Sequence, residues 1–128
     1  MSSALLASTA TDLPLERPEY LDDDLSIGLA AEALLACHAR GADRQTLLSM
    51  CERLLNVTER VMLERENRMM AAGDENLAAQ VRRNADVLFV LGQQVRALRR
   101  GGGGIPATFV QFVTSLVARF SAPRIQAA

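Results

Sequence analysis

Residues 43–100 read DRQTLLSMCERLLNVTERVMLERENRMMAAGDENLAAQVRRNADVLFVLGQQVRALRR, and they carry the clearest structural signals of the chain. Asp43 predicts the start of a helix, because a short carboxylate can accept hydrogen bonds from the free amides of a first turn. Gly73 suits the left-handed position that ends a helix, and Asp74 is predicted to cap the next one. Because the connection is short, the two helices, at about 43–72 and 74–100, are predicted to form an antiparallel hairpin.

Both arms of the hairpin carry apolar residues at helical spacing. In the first arm they recur every three or four residues, which keeps them on one stripe. In the second arm the steps alternate between four and three, which is typical of a coiled-coil seam. The first stripe consists of Leu47, Leu48, Cys51, Leu54, Leu55, Thr58, Val61, Met62 and Met69. The second seam consists of Leu77, Val81, Asn84, Leu88, Leu91, Val95 and Leu98.

Asn84 is the polar member of the second seam. A buried amide costs stability unless it finds a hydrogen-bond partner. With the turn near Gly73, we expect Asn84 to lie opposite Val61, within reach of Arg60, Glu64 or Arg65. It either fixes the register of the two helices or marks a stretch that faces solvent or a partner.

The composition indicates an all-α domain with an aliphatic core. The chain has 128 residues, of which 49% are hydrophobic and 4% aromatic, as expected for a single bundle of three to four helices. All fourteen basic residues are arginine, a usage that suggests a GC-rich bacterial genome or its phage. The net charge of −1 provides no overall electrostatic attraction to nucleic acid.

The remaining segments complete the predicted organisation. Residues 1–21 are predicted to form an extended or flexible arm, and residues 22–128 a single helical domain. A first helix at about 23–40 is apolar on nearly every side, which is typical of a helix central to a bundle or sandwiched in an oligomer. The four glycines 101–104 predict a hinge before a last helix that runs from Pro106 to about Phe120.

Targeting signals are absent from the sequence pattern. The start has no basic region, and its apolar run is too short for a signal peptide. The longest apolar stretches fall short of a membrane span, so a cytoplasmic location is predicted. Cys37 and Cys51 are predicted to be free core thiols, with Cys37 facing the region of Leu47.

The sequence carries no recognisable catalytic signature. Asp22 to Asp24 are consecutive and point in different directions, so they predict a helix start and no metal site. His38 has no ligand partner at helical spacing, and the glycines lack the Lys-Ser/Thr of a phosphate loop. Cys51 beside Glu52 could be a reactive thiol, although a core position is the preferred interpretation. The sequence therefore predicts a non-enzymatic protein without catalytic, metal or cofactor-binding residues.

Protein–protein interaction is the predicted function. The chain would act as an adaptor, secretion-type chaperone, regulator or accessory subunit, in a homo-oligomer or a complex with another subunit. The last helix either closes the core or docks on another protein or protomer. The predicted partner-binding residues lie on the first and last helices: Ile27, Leu34, Phe109, Phe112, Val113, Leu116 and Phe120.

The alternative prediction is a nucleic-acid-associated accessory subunit. Arginines of the third helix would contact phosphates, whereas their simplest role is to complement the helix C-terminus or to face solvent. The predicted anion contacts are Arg82, Arg83, Arg96, Arg99 and Arg100.

Overall fold

The computed structural model describes residues 16–101 and 104–121, with side chains from residue 24 onward. These residues form four helices and no strand, which confirms the all-α prediction. The helices are α1 (Glu16–Ala39), α2 (Arg44–Ala72), α3 (Leu77–Arg99) and α4 (Ala107–Phe120).

Three pairs of helices pack against each other. The hairpin of α2 and α3 is one pair, and α1 packs on the other side of α2. The fourth helix packs on α1, so that α1 lies between α2 and α4. This central position agrees with the apolar residues on almost all sides of α1.

The ends of α2 follow the sequence signals. The Asp43 side chain accepts a hydrogen bond from the Thr46 amide at 2.9 Å. This bond, together with one from the Thr46 side chain, lowers the pKa of Asp43. Gly73 has a φ of 67°, and its amide donates to the Met70 carbonyl. The N-cap and the left-handed C-cap were thus both predictable from the sequence.

The start of α3 differs from the prediction. Asp74 does not cap it; its carboxylate accepts a hydrogen bond from the Asn76 amide at 2.8 Å, inside the turn. The helix begins only at Leu77, with Asn76 as its N-cap. An aspartate can satisfy the amide two residues ahead in a turn as well as at a helix start, and here the turn prevails.

The start of α1 also differs from the prediction. The helix begins at Glu16, so that part of the arm predicted at 1–21 is helical. Pro18 is compatible with this because it lies in the first turn, where its missing amide hydrogen leaves no helical hydrogen bond unmade. Residues 1–15 lie outside the described residues, as do Gly102 and Gly103 of the predicted hinge.

A single core joins the four helices. The last buried residue of α2 is Met62 and the first buried residue of α3 is Asn84, so no residue from 63 to 83 is buried. The end of the hairpin therefore projects beyond the core. The core residues are Ile27, Ala30, Ala31, Leu34, Cys37, Leu47, Leu48, Cys51, Leu54, Val61, Met62, Val87, Leu91, Val95, Leu98, Phe109, Val113, Leu116 and Phe120.

The buried stripe of α3 is shifted from the predicted seam. Val81 is exposed because it belongs to the projecting end, whereas Val87 and Gln94 are buried. Near the base of the hairpin, α3 borders the common core as well as α2, so its buried face is wider there than a two-helix seam.

Candidate interaction surfaces

The predicted partner-binding residues lie inside the folded chain. Phe112 is half-buried and packs against the core. The other six are buried: Ile27, Leu34, Phe109, Val113, Leu116 and Phe120. The six buried side chains belong to one core cluster, so a partner could reach them only if the core opened.

The contact between α1 and α4 is close. A β-carbon added to Gly28 would lie 2.6 Å from the carbonyl oxygen of Phe120. Glycine at this position therefore lets the two backbones approach. The Arg65 guanidinium lies 6.0 Å from the centre of the Phe120 ring and also forms an ion pair with Asp24. Through these contacts Arg65 connects α2 to both α1 and α4.

A groove runs between α1 and α2 on another side of α1. Its volume is about 530 Å³. Helical geometry places Ala33 and its neighbours about half a turn away from Gly28, which faces α4. The groove is lined by Ser26, Leu29, Ala30, Ala33, Met50, Arg53, Val57 and Arg60.

The lining of this groove is mostly apolar, with arginines on the α2 rim. Leu29 is 62% exposed, although it is a large apolar side chain. Ala30 and Ala33 leave room between the helices, and Met50 is only partly buried. Such a concave surface with a few charged groups at its edge is typical of a binding site for an apolar side chain or helix.

The predicted anion contacts all lie at the surface. Arg83 donates to Gln80, Arg96 donates to Gln93, and Arg99 forms an ion pair with Glu52 at 2.7 Å. The guanidinium groups of Arg82 and Arg100 have no hydrogen-bond or ion-pair partner within the described part of the chain.

Phe89 lies on the same surface of α3 and was missed by the sequence analysis. Its side chain is 62% exposed. It falls seven residues after Arg82 and seven before Arg96, so the three share one helical stripe. The signal was present in the sequence: a phenylalanine off the apolar seam, at heptad spacing from two arginines.

The two cysteines, Cys37 and Cys51, belong to the core. Both thiols are free and buried. Burial, with a smaller contribution from the charge of Glu52, raises the pKa of Cys51 to about 12. The thiol is therefore protonated at neutral pH, contrary to the reactive interpretation.

The described residues provide neither a metal-binding cluster nor a membrane-spanning helix. Residues 24–101 and 104–121 contain no group of three or more His, Cys, Asp or Glu side chains that could hold a metal ion. Within α1 to α4 as described, no helix has the length and apolar character needed to cross a bilayer.

Comparisons with protein-family models, with curated proteins and with solved structures each gave no match to this chain. The function proposed below therefore rests on sequence and geometry.

Proposed function

We propose that this protein is a non-enzymatic interaction module that binds a helix of another protein in the groove between α1 and α2. It would work as an adaptor, secretion-type chaperone, regulator or accessory subunit. The observation that supports this proposal is the exposed apolar side chain of Leu29 beside the small residues Ala30 and Ala33. A helix laid across these positions would remove apolar surface from water.

The α1–α2 groove is favoured as a docking site over the buried residues of α1 and α4 that the sequence predicted to bind partners. Docking through Phe109 or Leu116 would require opening the core, and each buried side chain of this size stabilises the fold by about 1.5–3 kcal/mol. Docking in the groove requires no such opening. The folded chain could therefore bind a partner at the groove without losing its own packing.

The chemistry of the groove favours one kind of occupant. Its floor suits an apolar stripe, and Arg53 at the rim suits a carboxylate on the partner. Each helix with described side chains already buries apolar residues in its own core, so the described part of a second folded copy has no comparable helix to offer. We therefore assign the groove to an amphipathic helix of a different protein, with an acidic residue beside its apolar stripe.

Site-specific photo-crosslinking tests this assignment. A photoreactive phenylalanine replaces Leu29 in the groove or, as a matched control, Leu63, which is 57% exposed on the outer side of α2. Crosslinking is carried out in the cells that make the protein, and the adduct is identified by mass spectrometry. We expect an adduct at position 29 with a helical, amphipathic and acidic segment of another protein, and none of comparable yield at position 63.

Other outcomes would contradict the proposal. An adduct at position 29 with the chain itself would show that a second copy fills the groove. Equal yields at positions 29 and 63, or no adduct at 29, would remove the groove as a docking site.

A further inference from the structure

Positive charge is concentrated on α3. Residues 77–100 contain five arginines and one aspartate, a net charge of +4, whereas the whole chain has −1. The rest of the chain therefore carries −5. Such an asymmetry produces a local positive potential that the overall net charge conceals.

The outward stripe of α3 has a regular spacing. Arg82, Phe89 and Arg96 follow one another at intervals of seven residues, and Arg100 continues the stripe one turn later. On a helix, seven residues correspond to about 10.5 Å along the axis. The exposed ring thus has an arginine about 10 Å away on either side.

The arginines of this stripe are available to a ligand. Within the described residues, Arg82 and Arg100 have no polar partner, and Arg96 bonds only to the neutral side chain of Gln93. Arg99, by contrast, is neutralised by Glu52 and lies off the stripe. Asp86 is the one acid of α3, one turn from Arg82 and from Phe89, and it offsets one of the charges.

The surroundings of Phe89 decide between two kinds of anionic partner. An acidic helix would need a continuous apolar seam to pack against. This stripe offers one aromatic ring among arginines, and Gln93 and Asp86 border the ring. A base of a single-stranded nucleic acid needs only one ring face on which to stack, with cations nearby for its phosphates.

We propose that the stripe formed by Arg82, Phe89, Arg96 and Arg100 binds single-stranded nucleic acid. One base stacks on the Phe89 ring, and phosphates on either side contact Arg82 and Arg96. Arg100 extends the contact to a further phosphate. This binding surface lies on α3 and is separate from the α1–α2 groove, so either proposal can fail without the other.

Fluorescence anisotropy with labelled oligonucleotides tests this proposal. The probes are mixed-sequence RNA and DNA single strands of about 12 nucleotides, and a duplex of the same sequence. We expect the single strands to bind more tightly than the duplex. The affinities for the RNA and the DNA strand then show which type of strand is preferred. With three phosphates contacted, the logarithm of the binding constant should fall with the logarithm of salt concentration with a slope of about −2.

Variants of the stripe separate stacking from charge. Phe89→Tyr keeps the ring and should bind as the wild type does, whereas Phe89→Leu keeps only the apolar character and should weaken binding about 5- to 100-fold. Arg82→Gln should weaken binding and reduce the salt slope by about 0.7. Arg40→Gln removes an arginine that follows α1, away from the stripe, and should leave binding unchanged. All of these side chains are exposed, so each variant should retain the wild-type melting curve.

Three results would overturn the proposal. The first is the absence of single-strand binding at low salt. The second is equal affinity of the Phe89→Leu and Phe89→Tyr variants. The third is displacement of the labelled oligonucleotide by a polyglutamate peptide as effectively as by an unlabelled oligonucleotide of equal charge. That result would assign the stripe to an acidic protein segment.

Discussion

The side-chain amide of Asn84 donates a hydrogen bond of 2.8 Å to the Glu66 carboxylate, joining α3 to α2 at the level where the packed core ends. The Asn84 carbonyl oxygen in turn accepts a bond from Gln80 at 2.9 Å. Asn84 is buried, yet both ends of its amide have partners, so its burial does not leave an unsatisfied group. This arrangement supports the register-fixing interpretation of the polar residue in the seam.

Removal of this hydrogen bond should destabilise the hairpin. We expect Asn84→Ala to lower the free energy of unfolding by about 1–3 kcal/mol, because a buried bond to a charged group is lost. Glu66→Ala should also destabilise, and the double variant should show a coupling of about 0.5–3 kcal/mol in urea titrations. Asn67→Ala, at an exposed position, is the control. Strictly additive effects of the two substitutions would contradict a direct bond.

Alanine substitution at Gly28 tests how closely α4 packs on α1, and the same substitution at Gly92 on α3 is the matched control. We expect Gly28→Ala to destabilise by about 1–2 kcal/mol, because the new β-carbon would meet the Phe120 carbonyl at 2.6 Å and this backbone atom cannot rotate away. Gly92→Ala meets only the tip of the Arg96 side chain at 3.7 Å. It should stabilise α3 by about 0.5–1 kcal/mol. Thermal denaturation of both variants checks the pair, and a Gly28→Ala protein as stable as Gly92→Ala would disprove the close contact.

Thr58 has a buried hydroxyl without a hydrogen-bond partner among the described residues. We expect Thr58→Val to raise the free energy of unfolding by about 1 kcal/mol, because a methyl group replaces an unsatisfied polar group of similar size. The matched control is Thr114→Val on α4, where the hydroxyl is exposed and donates to the Val110 carbonyl. Destabilisation by Thr58→Val would show that the hydroxyl has a partner in solution.

The ionisation of Cys51 should make stability depend on pH in alkaline solution. The folded thiol has a pKa of about 12, mainly because it is buried, whereas its ordinary value is 9.0. The unfolded state therefore loses its proton first, and this contribution to stability is complete below about pH 9 and is lost as the pH rises toward 12.

A comparison with Cys51→Ala isolates this effect. Below pH 9 the two proteins should differ by a constant amount, and above it the wild type should lose stability faster, by at most about 1.4 kcal/mol per pH unit. Urea titrations at several pH values provide the measurement. Parallel curves up to pH 11 would contradict the raised pKa of Cys51.

Sequence signals were reliable where a local interaction determines the backbone. Asp43 and Gly73 act within one turn of themselves, and both caps of α2 were predicted. The partner of Asn84 was predicted wrongly, as Arg60, Glu64 or Arg65. The residue of α2 that lies opposite Asn84 depends on where the turn ends. Since α3 begins at Leu77, the pairing shifts along α2 to Glu66.

The candidate surfaces were harder to predict because they depend on how helices pack. Apolar spacing marks Leu29 and Ile27 equally as core residues, and only the positions of α2 and α4 around α1 leave Leu29 exposed. The packing of the last helix is equally hard to predict, because an apolar face such as that of Phe109 and Leu116 can pack in the chain's own core or against another protein. Its packing on α1 follows from long-range complementarity at Gly28, which no local pattern encodes.

Isothermal titration with the partner recovered by crosslinking at position 29 tests whether a helix docks in the α1–α2 groove. The proteins compared are the wild type, Leu29→Glu and the matched control Leu63→Glu, whose substitutions both lie at exposed positions. A glutamate at position 29 would place a charge against the apolar stripe of the bound helix. We expect Leu29→Glu to weaken binding at least about tenfold, or 1.4 kcal/mol, and Leu63→Glu to bind as the wild type does. Equal affinities of the two variants would contradict docking in the α1–α2 groove.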